Sequence, residues 1–169
     1  ALKRRPPLVV DPVIWAGDGS RLLSENGVAA LRKYLFPLAA VITPNLDEAA
    51  QLSTARVRNV QEARLAAECL LTLGPQSVLV KGGHLSGAPV DIFFDGNRFS
   101  EFRAGRKAQG VTHGTGCALS AAIASYLAKG LSIHDAIKEA HGYTQTLIHG
   151  AQRLGKGSRL LIPFWGGSE

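Results

Sequence analysis

The sequence predicts an α/β fold: a mostly parallel sheet covered by helices on both faces. Three observations lead there. Short apolar runs (Leu8-Val9-Val10, Ala39 to Thr43, Ser77 to Lys81) read as strands buried on both sides. Helical patterns alternate with them, as parallel strands require. Each run stops at a breaker, Asp11-Pro12, Pro44 or Gly82-Gly83, so polar and glycine-rich residues gather where strands end.

The elements follow in order. Leu8 to Val10 is the first strand, and Gly17-Asp18-Gly19-Ser20 is a loop. Ser24 precedes a helix to about Phe36, with Val28, Leu31 and Leu35 on one face. Ala39 to Thr43 is the second strand. Asn45 reads as an N-cap with Glu48 at the capping-box position, opening a helix to about Leu52. Val60 to Leu73 is a helix closed by Gly74-Pro75, and Cys69 is expected in its buried face. Ser77 to Lys81 is the third strand. Asp95-Gly96-Asn97 joins strands Val90 to Phe94 and Arg98 to Phe102 as a hairpin. A small-residue helix runs from Gly114–Gly116 to Ala128. Gly130 ends it, and Ser132 caps a last helix to about His149.

With 169 residues, the chain fits one domain, and 46% hydrophobic against 19% charged residues marks it as globular. Two cysteines are too few for a disulfide framework or a zinc ribbon, and no apolar run reaches membrane-span length. The expectation is a soluble, cytoplasmic protein. The net charge of +6 suits anionic small molecules. The basic tip Lys3-Arg4-Arg5 has no interleaved aromatics, so no nucleic-acid partner is expected. There is no methionine, even at position 1, and three strands plus a hairpin make a thin sheet. The expectation is a fragment, or one half of a split enzyme, whose first strand would expose an edge.

Ligands in open α/β sheets gather at the carboxyl ends of strands. Asp11, Thr43-Pro44-Asn45 and Lys81-Gly82-Gly83-His84 stand at three such ends. Each has a bland reading, as turn, cap or solvated charge; together they suggest one site. The segment Thr112-His113-Gly114-Thr115-Gly116-Cys117 points to the chemistry. Gly114 and Gly116 bracket Thr115 where a helix begins, so converging amides and the helix dipole form an anion hole suited to phosphate. Cys117 reads as a small hydrophobe, as a nucleophile with His113 as base, or as a proton acceptor for a substrate hydroxyl. Asn45 and Glu48, one turn apart, could hold waters around Mg²⁺, or simply form a capping box.

Look-alikes fail. Gly150 to Lys156 begins like a phosphate loop, but Gly157 replaces the required Ser or Thr and the segment follows a helix. A Rossmann reading fails because Leu119 stands where a third glycine is needed. The five histidines lack metal-ligand spacing, and His134, His141 and His149 are expected on the surface or in the core.

Four motifs in this order resemble hydroxymethylpyrimidine/phosphomethylpyrimidine kinase, the thiamine-biosynthesis branch of the ribokinase-like superfamily. They are Val10-Asp11-Pro12-Val13, Ile42-Thr43-Pro44-Asn45-Leu46-Asp47-Glu48, Val80-Lys81-Gly82-Gly83-His84 and Thr112 to Cys117. Leu154-Gly155-Lys156-Gly157 is similar to that family's C-terminal stretch. The resemblance covers residues 8 to 158 and only the family's C-terminal part. It implies a ribokinase-like three-layer α/β/α sandwich lacking N-terminal strands, with 1–7 and 159–169 as tails. It also implies transfer of the ATP γ-phosphoryl to the pyrimidine alcohol and then to its monophosphate. Gly114, Thr115 and Gly116 would form the anion hole, and Cys117 would stand where most superfamily members carry a catalytic Asp. Asn45 and Glu48 would serve Mg²⁺, and Asp11, Thr43, Lys81 and Gly82 would lie by the nucleotide. A homodimer is expected by the same resemblance. One departure is Ile14-Trp15-Ala16-Gly17, where the family usually has a Lys.

The alternatives are a pyridoxal kinase of the same superfamily and a non-catalytic nucleotide-binding remnant. A Cys117–His113 hydrolase lacks an evident third group to orient the base.

Overall fold

The computed structural model describes residues 5–83, 89–104, 114–151 and 161. Their elements are β1 (Leu8–Val10), α1 (Glu25–Ala30), β2 (Ala39–Ile42), α2 (Leu46–Ser53), α3 (Val60–Leu71), β3 (Val78–Val80), β4 (Val90–Phe94), β5 (Phe99–Arg103), α4 (Thr115–Ala128) and α5 (Ile133–His149). The strands form one sheet in the order β1-β2-β3-β4-β5. The first three are parallel, and the β4–β5 hairpin adds two antiparallel pairings. Among the described residues β1 and β5 are the edges.

The unbroken apolar runs have their physical reason in two separate cores. Ile42, Val78, Val80, Val90, Ile92 and Phe94 face a core filled by α2, α3 and Phe36. Val41, Leu79 and Phe93 point the other way, onto Leu119, Ile123, Ile137 and Ala140 of α4 and α5. Alternate residues of each central strand are therefore buried on opposite faces, the three-layer sandwich expected. Burying a side chain such as Phe93, 2% exposed, contributes about 1.5–3 kcal/mol.

Three local expectations are corrected. The helix after Ser24 is not α-helical to Phe36. After Ala30 it widens into a π turn, Leu31–Leu35, and tightens into a 3₁₀ turn, Phe36–Leu38. The Phe36 amide reaches back to the Leu31 carbonyl, and Pro37, without an N–H, cannot continue the ladder. Val28, Leu31 and Leu35 still pack on the first core. Secondly, Cys69 is exposed, because the buried stripe of α3 is Ala63, Ala66, Ala67 and Leu70. Thirdly, His141 is neither plain surface nor plain core: it lines a pocket beside Lys81 and Gly116.

Candidate active site

The strand ends meet as expected, and main-chain bonds tie them. The Thr43 amide donates to the Val10 carbonyl at 2.9 Å and the Lys81 amide to the Pro44 carbonyl at 2.8 Å. Asn45 and Lys81 form an isolated parallel bridge. Asp11, Thr43, Asn45 and Lys81 are thereby held along one edge.

The α4 N-terminus enters that edge. Ser24, Asn45, Asn59 and Ser132 each cap their helix with a side chain. The start of α4 differs: its N-cap is Gly114, left-handed at φ 84°, with no side chain to accept from the first turn. A residue with a Cβ is strained there, and the amides stay open to a ligand. Gly116 has another reason to be glycine, since a Cβ there would lie 3.0 Å from Lys81 Nζ. The missing side chain admits an ammonium beside the positive end of a helix, which makes a strongly anion-seeking place.

Asp11 holds that ammonium. Lys81 Nζ donates to Asp11 Oδ1 at 2.7 Å, both side chains being 14% exposed. Ser120, one turn after Gly116, donates to Asp11 Oδ2 at 3.1 Å. Its hydroxyl also lies 2.9 Å from Thr43 Oγ1 and 3.0 Å from the Gly116 carbonyl. Lys81, Asp11, Ser120 and Thr43 therefore form one hydrogen-bonded chain joining three strand ends to α4. Thr43 is fully buried, so its hydroxyl needs this partner.

Asn45 and Glu48 form a complete capping box. Asn45 Oδ1 accepts from the Glu48 amide at 2.9 Å, and Glu48 Oε2 accepts from the Asn45 amide at 2.8 Å. Glu48 Oε1 also accepts from the Ile14 amide at 3.4 Å, tying down the chain after β1. Glu48 is only 2% exposed. Burial pushes its carboxyl above the usual range and the Asp11 charge adds to this, while the Asn45 and Ile14 amides and Lys81 act against it. No group of three or more His, Cys, Asp or Glu side chains is placed to hold a metal among the described residues.

Cys117 lies in the first turn of α4 and is exposed. His84, Thr112, His113 and residues 154–157 lie outside the described residues. Sequence reasoning missed three participants. Ser120 follows Gly116 by one helical turn, which sets it on the same face of α4 and is the signal the sequence offers for it. Asp91 and His141 join Lys81, Thr115, Gly116 and Gln145 around a pocket of about 120 Å³. A larger, mainly apolar cavity of about 670 Å³ runs from Gly114 along Ala118, Ala121 and Tyr126 to Tyr143 and Leu147.

The comparisons show the family and the fold. The family model described as phosphomethylpyrimidine kinase matches residues 1–161. A hydroxymethylpyrimidine/phosphomethylpyrimidine kinase of Rhizobium meliloti is 49% identical over 149 residues, 86% of this chain and 56% of the relative. A phosphomethylpyrimidine kinase structure from Clostridium difficile superposes with a TM-score of 0.71 at 39% identity, covering 83% of this chain and 57% of that one. The pyridoxal kinase of Staphylococcus aureus in complex with AMP-PCP gives 0.84 at 30% identity, covering 96% and 60%. The chain spans little more than half the length of these proteins.

Proposed function

This chain belongs to the phosphomethylpyrimidine kinase family, with the ribokinase-like fold, and we propose that it carries the nucleotide side of an ATP-dependent kinase of the pyrimidine alcohol and its monophosphate. The observation that carries the reading is the meeting of the Lys81 ammonium with the uncapped N-terminus of α4 at Gly116. Phosphoryl transfer requires chiefly positioning and charge stabilisation, and both parts supply positive potential where phosphate oxygens would lie. Asp11 and Ser120 hold Lys81 and α4 in register. The likeness to a pyridoxal kinase in complex with AMP-PCP supports ATP as the donor.

In this reading the amides of Thr115, Gly116 and Cys117 receive the transferring phosphoryl group. The exposed Cys117 side chain meets the acceptor hydroxyl, orients it and, as its thiolate, takes the hydroxyl proton late in the transfer to become the thiol. Asn45 lines the nucleotide's path, while Thr43 and Gly82, both buried, act from behind it through Ser120 and Asp91. Mg²⁺ would meet at Glu48 a carboxylate whose charge burial and Asp11 both disfavour, and whose two oxygens already accept from the Asn45 and Ile14 amides, so that contact would run through water. Glu48 and Asn45 would hold it through its waters, and it would neutralise phosphate charge. The proposed partners are small molecules. No helix among the described residues is long and apolar enough to cross a membrane.

Pyridoxal is the second acceptor to test, because pyridoxal kinase structures superpose with TM-scores up to 0.84. The experiment measures ADP release from Mg·ATP with hydroxymethylpyrimidine, with pyridoxal and with neither. Turnover on the pyrimidine is expected if this chain holds enough of the acceptor pocket, and saturable ATP binding in either case. Absence of nucleotide binding overturns the reading. Turnover on pyridoxal alone reassigns the acceptor.

A further inference from the structure

Asp91 borders the pocket beside Lys81 and Gly116, and it is an unusual residue for its place. It lies on β4 on the same face as Phe93, the face that packs on α5. An apolar side chain is the default there, and a carboxylate is costly unless it is well partnered. Its side chain is 15% exposed, and burial pushes its carboxyl above the usual range. Its Oδ1 accepts from the Gly82 amide at 2.8 Å, and its Oδ2 lies 4.0 Å from His141 Nε2 of α5. Lys81 and His141 are the titratable groups that face it among the described residues. Phe102 is its cross-strand neighbour on β5, and the Phe102 and His141 rings lie 6.0 Å apart.

Gly82 directly follows Lys81. The start of that turn is fixed to Pro44 and Asn45 by the Lys81 amide, and its next amide is fixed by Asp91. Between these two attachments the backbone of Lys81 has little freedom, so its ammonium is aimed at Gly116 and Asp11. We propose that Asp91 is a positioning residue for the nucleotide side of the site: its Oδ1 holds the Gly82 amide and fixes the turn carrying Lys81. The proposal rests on the nucleotide reading above for its purpose, and on the Gly82 contact for its geometry.

The test compares this chain with its Asp91→Ala and Asp91→Asn variants by calorimetric titration with Mg·ATP and by amide hydrogen exchange at Gly82. Asp91→Leu, closer in volume, replaces Asp91→Ala if the smaller residue prevents folding. Losing the acceptor is expected to weaken nucleotide binding roughly ten-fold and to speed Gly82 exchange by a similar factor. Asp91→Asn keeps a carbonyl acceptor and is expected to stay within about three-fold of wild type in both. A merely structural role predicts lower thermal stability in both variants with no selective rescue of affinity by Asn. Wild-type affinity in Asp91→Ala, or Asp91→Asn as weak as Asp91→Ala, overturns the proposal. Unchanged Gly82 exchange in Asp91→Ala overturns the clamp without touching the nucleotide reading. A wild-type chain that binds no nucleotide overturns that reading, and with it the purpose given to the clamp.

Discussion

The ammonium of Lys81 and the carboxylate of Asp11 meet at 2.7 Å across 70 positions of sequence, each side chain 14% exposed. The pair is too buried to be a surface ion pair of negligible worth, and it is not closed off, since Lys81 also faces the glycine at the start of α4. Asp11 thus holds a cation that remains available to a ligand.

Removing the cation tests this most directly. Lys81→Met is expected to raise the nucleotide Kd at least ten-fold, about 1.4 kcal/mol, and to lower Tm because Asp11 loses its partner. If Asp11 acts only by holding Lys81, adding Asp11→Asn to Lys81→Met costs no further affinity. Calorimetric titration of the two single variants and the double variant settles the point; unchanged affinity in Lys81→Met removes that residue from the site.

Gly116→Ala separates folding from function. Alanine is the better helix former, by up to about 1 kcal/mol, so Tm is expected to hold or rise. The added Cβ would stand 3.0 Å from Lys81 Nζ and push the ammonium away. Nucleotide affinity and turnover are therefore expected to fall while stability does not. A variant that binds as wild type shows that the lysine moves aside at no cost.

Cys117→Ala is expected to slow phosphoryl transfer by about 10²-fold or more while nucleotide binding survives, as for a general base removed. Cys117→Ser, which keeps a donor and acceptor, is expected to fall between them. Single-turnover rates together with ATP affinity are the measurement, and wild-type rates in Cys117→Ala exclude the thiol from the proton path.

Glu48 has a sign that can be worked out. Its folded carboxyl titrates above its ordinary value of 4.5, so between that value and the raised one the native state binds more protons than the unfolded state. Its contribution to stability is therefore greatest below about pH 4.5 and is lost as pH rises through the folded pKa. Glu48→Gln keeps a carbonyl for the Asn45 amide and cannot ionise. Urea unfolding from pH 4.5 to 7.5 is expected to show wild type losing stability relative to Glu48→Gln as pH rises. A constant difference across that range contradicts the burial argument.

Ser120→Ala leaves the buried Thr43 hydroxyl without its partner and takes one donor from Asp11. A loss of about 1–3 kcal/mol is expected in urea unfolding. Adding Thr43→Val is expected to return part of it, because removing both partners costs less than orphaning one.

Much of this was legible in local sequence, because the physics is local. The Asn45–Glu48 capping box spans one turn, Asp-Gly-Asn marks the hairpin tip, and the buried strands announce themselves by composition. Gly114, with its positive φ, was legible for the same reason. The rest depends on partners far away in sequence. Nothing near Asp91 announces that its acceptor role serves Gly82 or that His141, fifty residues on, faces it. Cys69 was misread because α3 buries a narrow stripe of small residues, and the cysteine stands just outside it. The π turn at Leu31–Leu35 is likewise invisible to periodicity, since its apolar residues still face the core.

The hydrogen bond from Thr43 at the end of β2 to Ser120 in α4 spans the boundary between the sheet and one helical layer. Lys81 belongs to the sheet, whereas the open amides of Thr115 and Gly116 belong to that layer. The two halves of the anion site are thus mounted on different bodies, and this contact keeps their alignment. A slide of α4 across the sheet, even one that kept every helix and strand intact, would appear first as a change in the gap between ammonium and amides. In the proposed reading, mutations deep in the second core, at Phe93 or Ile123, would therefore detune phosphate binding without altering Lys81, Thr115 or Gly116.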